Sequence, residues 1–245
     1  MKGCCLSASI MSLSEDFLRV KLKTFPDKLC PTTAIYRPVY IKFFSMEHPE
    51  SKIRIIRATL DLLSQSGLSG VGINQVVAAS AAPKGSIYHF FPGGKTELAS
   101  VALKEAEQSE GQWFRGFFQR RESIAQKVES LFASAANLLE ESEFMKGCPV
   151  AAVALDLDRD SEGLRAVCHA IFTTWQNIIA AGLNEVPEAE RAQVAEFILA
   201  TLEGALILSR TEATKDPLLR AGKMLAEILG GKFRTVPPDV SAPRG

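Results

Sequence analysis

The stretch that most constrains this chain runs from Gly67 to Leu98, GLSGVGINQVVAASAAPKGSIYHFFPGGKTEL. It holds two helical segments, each too short to be stable alone, separated by the small pair Ala81-Ala82. Ile73, Val76 and Val77 give the first segment one apolar side over about two turns. Pro83 suits the first turn of the second, where its missing N–H costs nothing, and Pro92-Gly93-Gly94 stops it. This pattern predicts a helix-turn-helix: a buried scaffold helix, a tight turn, and a second helix whose N-terminal end is offered to the major groove.

Between Ser51 and Lys232 the flanking chain reads as a series of helices. From Ser51, Ile53, Ile56, Leu60 and Leu63 recur at three- and four-residue steps, and Gly67 is read as the C-terminal cap. Lys95 is expected to start a long helix reaching Arg120, with Leu98, Ala102 and Leu103 packed back on the short pair. A helix over Ser123–Glu141 follows, with Ile124, Val128, Leu131, Phe132, Ala135 and Leu138 on one face. Gly147-Cys148-Pro149 breaks the chain before a short apolar helix over 150–157. The next carries Leu164, Cys168, Ile171, Trp175, Ile179 and Leu183 along one side. Two helices close the chain. Glu188–Thr211 has Val194, Phe197, Ile198, Ala205 and Leu208 in its stripe. The last is expected to be capped by Asp216, striped by Leu218, Leu225, Ile228 and Leu229, and ended by Gly230-Gly231. No segment alternates like a strand, so the expected class is all-α. The chain divides into a three-helix helix-turn-helix domain at 46–98, a helical ligand-binding and dimerisation domain at 99–233, and a loose tail at 234–245.

Residues 1–45 read as a poorly ordered arm with no sustained period and no secretory h-region. Lys2, Arg19, Lys21, Lys23, Lys28, Arg37 and Lys42 would let it touch phosphate; the plainer reading is that the biological start is Met46. The formal net charge of the 245 residues is zero, so DNA contact would have to rest on a local positive face. No run of eighteen apolar residues suggests a membrane span. The five cysteines form no CxxC pair and no metal-ligand spacing, which points to a reducing cytosol, with neither metal nor cofactor expected.

Within the second short helix, Lys84 adds charge to an N-terminus that already favours phosphate, and Gly85 lets DNA come close. Ser86, Tyr88 and His89 supply donors for phosphate or base edges, while Ile87, Phe90 and Phe91 are assigned to packing. The competing reading is a plain helical hairpin with Tyr88 and His89 half-buried.

The run from Ser51 to Leu98, and APKGSIYHFFPGGKTEL above all, resembles the DNA-binding domain of the TetR family of bacterial one-component regulators. The additional glycine of Phe91-Pro92-Gly93-Gly94-Lys95, with Gly147-Cys148-Pro149 and the helix after it, resembles the LmrA and YxaF branch. The resemblance implies a cytosolic, all-α homodimer, no enzyme, that represses from a palindromic double-stranded operator at the nucleoid and leaves it when a small effector enters the C-terminal domain. It implies a DNA-facing set of Gly72, Asn74, Pro83, Lys84, Gly85, Ser86, Tyr88, His89 and Lys95. Many relatives have Thr or Ser where Gly72 stands, so one phosphate contact is missing here. The implied effector site draws on Trp113, Phe114, Phe117, Phe132, Cys148, Phe172 and Trp175, with Gln112, Asn137, Thr174, Gln176 and Asn177 as orienting polar groups. An aromatic effector is the expectation. The dimer is expected through the last two helices, where Ala200, Gly204 and Gly222 permit close approach.

Three further motifs are weaker. Gly94-Lys95-Thr96 looks like the end of a phosphate-binding loop, but His89 stands where its first glycine belongs. Asp156, Asp158 and Asp160 mimic a calcium loop that lacks its glycine and its closing glutamate. Cys148, with His169 as a partner, would suit a redox-sensing regulator. That alternative stands beside a helical ligand-binding protein without DNA binding.

Overall fold

A computed structural model describes residues 50–233, all within one compact unit. The expectations for residues 1–45, for Met46 and for the tail 234–245 lie outside the described residues. Among the described residues there are nine helices and no strand. They are α1 (Glu50–Ser66), α2 (Ile73–Ser80), α3 (Lys84–Phe90), α4 (Gly94–Phe118), α5 (Ile124–Glu141), α6 (Pro149–Leu155), α7 (Glu162–Ala181), α8 (Glu188–Glu212) and α9 (Asp216–Lys232).

The first three helices pack on one another around Ile55, Ile56, Leu63, Val76, Ile87 and Phe91, all buried. α4 serves both parts of the molecule. Its first turns bury Leu98, Ala102 and Leu103 beside α1, and its remainder packs along α7. No breaker interrupts α4, so the boundary expected at residues 98 and 99 falls inside a continuous helix. α5 lies along α9, and α8 packs on α7, α9 and α5.

Some terminal details differ from expectation. Gly94 rather than Lys95 opens α4, at φ 70° in the left-handed region where glycine is favoured. Lys215 occupies the N-cap of α9 and Asp216 is its first helical residue. Gly230 and Gly231 do not end α9: the helix runs to Lys232, and a Cβ on Gly230 would stand 3.1 Å from Ala125 on α5. Gly222 is used in the same way. A Cβ there would come within 2.5 Å of Phe132, so this glycine admits α5 within the chain instead of lying on an outer seam. Ala200 and Gly204 do face outward, with open space before Gly204.

The apolar stripes also divide between two faces. Val194, Ile198 and Ala205 of α8 are buried, whereas Phe197 and Leu208 point out; Leu138 on α5 and Ile228 on α9 point out as well. Together with Ile207, Leu219 and Met224 they leave α8 and α9 with a broad apolar outer face. By length and composition alone α8 is apolar enough to cross a membrane, although it serves as a helix of the bundle with Leu199, Leu202 and Ala205 in the core.

Candidate nucleic-acid interface and interior acidic cluster

The turn between α2 and α3 is built from Ala81 and Ala82. Ala81 adopts φ 51°, the left-handed conformation that reverses the chain, and Ala82 is buried beneath it. The Ala82 N–H donates to the Ser80 hydroxyl at 3.3 Å, and Arg54 Nε of α1 donates to the Ser80 carbonyl at 3.2 Å. Pro83 occupies the N-cap of α3, one place before the first turn, and its carbonyl accepts the Ser86 N–H at 2.9 Å. Ile87 and Phe91 anchor α3 inward at 0% and 1% exposure, so its other side is presented to solvent.

That side carries the expected residues. Pro83, Lys84, Gly85, Tyr88 and His89 are exposed, and Ser86 is half-buried. Tyr88 is 51% exposed, which sets aside the half-buried hairpin reading for that side chain. Nothing lies within 4 Å of the Cβ position of Gly85, leaving room for a phosphate backbone. Gly72 and Asn74, at the start of α2, are exposed, and Lys95 is half-buried in the first turn of α4. The α2 N-terminus is only half capped: Gln75 Oε1 accepts the Gly72 N–H at 2.6 Å, and glycine has no hydroxyl to return the bond.

The aromatic set expected to line the effector site is mostly tight packing. Phe114, Phe117, Phe132 and Trp175 are buried, and Phe114 stands 5.7 Å from Trp175 between α4 and α7. Trp175 donates its indole N–H to the Glu107 carbonyl, and Trp113 donates to the Ser134 hydroxyl. Phe172 is half-buried, with its ring edge on Trp175. Of the polar set, Gln112 and Thr174 line a shallow outer groove with Glu107, Gln108 and Arg115, while Asn137 and Asn177 are exposed.

The interior polar groups are different ones. Glu110 on α4, Cys148 at the N-cap of α6 and Glu203 on α8 face one another. The Cys148 sulfur accepts the Ala151 N–H at 3.4 Å, and the Glu203 carboxyl lies near its thiol. Oε2 of Glu110 is shielded from solvent and has no partner. All three side chains lie deep in the bundle, each still keeping part of its surface accessible. Burial and the neighbouring Glu203 carboxylate push Glu110 up to about 8, and burial pushes Glu203 up to about 7. Burial, Glu203 and Glu110 together hold the Cys148 thiol well above its usual range, the reverse of what a reactive thiolate needs. His169, its expected partner, is exposed on α7.

The segment around this cluster is tied to α1. The Gly147 N–H donates to the Ser64 carbonyl at 2.9 Å, Arg210 of α8 donates to the Gln65 carbonyl, and Lys146 pairs with Asp61 at 2.9 Å. Asp156, at the C-cap of α6, accepts the Ser69 N–H at 2.8 Å. Asp158 accepts the Asp160 N–H and the Ser161 hydroxyl and so shapes the turn before α7; the three aspartates do not converge. Among the described residues no His, Cys, Asp and Glu group is arranged to hold a metal.

Two family models match. Residues 55–102 match the tetR family of bacterial regulatory proteins, and residues 124–224 match the C-terminal domain of LmrA/YxaF-like transcriptional regulators. The uncharacterized HTH-type transcriptional regulator YxaF of Bacillus subtilis is 31% identical over 185 residues, which cover 75% of this chain and 97% of that protein. The HTH-type transcriptional regulator LmrA of the same organism is 28% identical, with 75% and 99% covered. Among solved structures, regulatory protein TetR from Rhodobacter sphaeroides superposes with a TM-score of 0.66 at 22% identity, covering 73% of this chain and 98% of that one. The TetR family regulator CifR, solved with a 26-base-pair double-strand operator DNA, superposes with a TM-score of 0.64 at 18% identity, covering 72% and 95%. This chain belongs to the TetR family, in its LmrA/YxaF-like branch, and is a DNA-binding transcriptional regulator.

Proposed function

We propose that the protein is a homodimeric repressor that holds a palindromic operator and releases it when a small molecule enters the helical body. The observation that carries the reading is the solvent-facing side of α3, where Lys84, Gly85, Tyr88 and His89 stand out from a helix anchored by Ile87 and Phe91. Gly72, Asn74, Pro83, Ser86 and Lys95 flank that side and are assigned to phosphate contacts and positioning. A two-fold dimer reads a two-fold site. The outer apolar face of α8 and α9, with Phe197, Leu208, Leu219 and Ile228, supports dimerisation there by a four-helix packing.

The buried polar cluster of Glu110, Cys148 and Glu203 supports an effector site in the body. It neighbours the aromatic wall of Phe114 and Phe117, since Glu110, Phe114 and Phe117 share one face of α4. The bonds from Gly147, Arg210 and Asp156 to the C-terminal end of α1 give an effector a route to the DNA-binding helices. Thiol redox sensing loses support, because the acidic surroundings of Cys148 disfavour the thiolate. The protein acts in the cytosol, at the nucleoid when operator-bound, and its role is regulation rather than catalysis.

DNA bound by the protein in cells, recovered and sequenced, tests this reading. Enrichment should centre on a palindrome and vanish in a Tyr88→Ala strain; enrichment indifferent to that change contradicts it.

A further inference from the structure

The C-terminal end of α1 is closed largely by donors from other parts of the chain. Its last turn holds no basic residue to face the negative end of the helix dipole, and three of its final carbonyls are satisfied one by one. The Gly67 N–H donates to the Leu63 carbonyl at 3.0 Å, the Gly147 N–H donates to that of Ser64 at 2.9 Å, and the Arg210 guanidinium donates to that of Gln65. Arg210 stands in the last turn of α8, 145 residues from Gln65 in sequence. It is half-buried and forms no ion pair among the described residues. One of its nitrogens lies 3.5 Å from where a Cβ on Gly147 would stand, so the two donors to α1 lie side by side. The backbone that carries Arg210 is itself fixed. Ser209 is buried, its carbonyl accepts the Thr214 N–H at 3.2 Å and its hydroxyl accepts the Leu218 N–H at 3.1 Å, which ties the end of α8 to the start of α9.

α3 packs on α1 and α2, so its direction follows that of α1. α4 and α6 pack against α1 from the body, and the Arg210 bond adds α8 to them. A helix packed along its side can still pivot about that contact; an anchor at its end, from another element, removes that freedom. Resting on the reading that α8 and α9 join two subunits, we propose that Arg210 is a positioning residue: it references each recognition helix to the dimer axis and so sets the half-site spacing that the protein accepts. Ile207 and Leu208, beside it in sequence, lie on the exposed apolar face assigned to the dimer, so one stretch of α8 meets both the partner subunit and α1. Spacing is a stringent readout, because one base pair added at the centre of a palindrome moves the half-sites apart by about 3.4 Å and turns them by roughly 35°. Without Arg210 each DNA-reading domain still folds but samples more directions, and the cost of fixing it falls on the binding step.

The test uses full-length wild type, Arg210→Ala, Arg210→Met, which keeps an apolar stem without the donor, and Arg210→Lys, which keeps a charged donor. The probes are the labelled palindrome from the DNA upstream of the protein's own gene, the same duplex with its centre lengthened or shortened by one and by two base pairs, and a duplex carrying a single half-site. Affinity is read by fluorescence anisotropy and subunit number by sedimentation velocity. Wild type is expected to prefer the native spacing by about tenfold or more. Arg210→Ala and Arg210→Met should bind the native palindrome about tenfold more weakly, the altered spacings nearly as well as wild type does, and the half-site unchanged, so that the preference shrinks to about twofold. Arg210→Lys should restore part of it. If Arg210→Ala fails to fold, which loss of half-site binding reports, Arg210→Met is read by the same ratio. Spacing preference as sharp in Arg210→Met as in wild type, uniform weakening on the half-site and every palindrome in both neutral variants, or a lysine variant no more selective than Arg210→Met would each overturn the proposal. Wild type sedimenting as a monomer while it binds the half-site would overturn the dimer reading instead, and wild type binding none of the duplexes would overturn the assignment of α3.

Discussion

The Asp156 carboxylate accepts the Ser69 backbone N–H at 2.8 Å, joining the end of α6 to the loop that leaves α1. The same carboxylate lies where a Cβ on Gly67 would come within 2.5 Å, so Gly67, at φ 67°, is required both by its backbone and by its neighbour. Asp156→Ala should cost about 1 kcal/mol of stability. It should leave effector affinity within about twofold while raising the effector concentration needed to release DNA. Parallel calorimetry and operator-release titrations check this; an unchanged release curve removes Asp156 from the coupling.

Ala81 turns the chain at φ 51° although it is not glycine. Left-handed backbone costs a β-carbon about 1–2 kcal/mol, and glycine returns part of that in unfolded-state entropy. Ala81→Gly should therefore stabilise the protein by about 1 kcal/mol in urea denaturation, with operator affinity unchanged. A loss of stability would show that the turn is held differently.

The recognition helix offers a substitution that separates folding from binding. Gly85→Ala should raise stability by up to about 1 kcal/mol through helix propensity, since no atom lies within 4 Å of the added carbon. It should weaken operator binding at least tenfold if DNA approaches there, as measured by fluorescence anisotropy. Equal binding would mean that the DNA backbone does not come close to Gly85.

The acidic pair makes stability depend on pH. Glu110 and Glu203 are raised in the folded state, to about 8 and about 7, so between the ordinary carboxylate range and these values the folded protein holds more protons than the unfolded one. Their contribution is fully present below about pH 4.5 and is lost as pH rises through about 7 to 8. Without effector, Tm should fall from pH 5.5 to pH 8.5, and the fall should flatten in Glu110→Gln. A Tm curve identical in wild type and variant would show that the pair is not buried.

Much of the fold and of the DNA-facing side is legible in the residue pattern. Ile53, Ile56 and Leu63 face the core as their spacing requires, and the 3.6-residue period that sends Ile87 and Phe91 inward sends Lys84 and Tyr88 outward. Gly222 is not legible, because a glycine on an amphipathic helix serves a partner chain or a neighbouring helix equally well until Phe132 is placed against it. Glu110 is hidden among the other polar residues of α4, whose stripe is weak. Glu203 does leave a trace: it is the one charge between Phe197 and Ser209, a run that otherwise reads as core. The roles of Asp156 and Arg210 depend on partners 87 and 145 residues away in sequence, which periodicity cannot reveal.

That α3 reads DNA is the central claim. Anisotropy titration of a labelled palindrome from the DNA upstream of the protein's own gene, at several salt concentrations, measures it directly. Wild type should bind as a dimer, with affinity falling steeply as salt rises. Lys84→Ala should weaken binding and reduce the salt slope by about 0.9 for each phosphate no longer neutralised, with one such phosphate per subunit. Tyr88→Ala should weaken binding with little change of slope. Wild type and both variants binding the palindrome with equal affinity and equal salt dependence would contradict it.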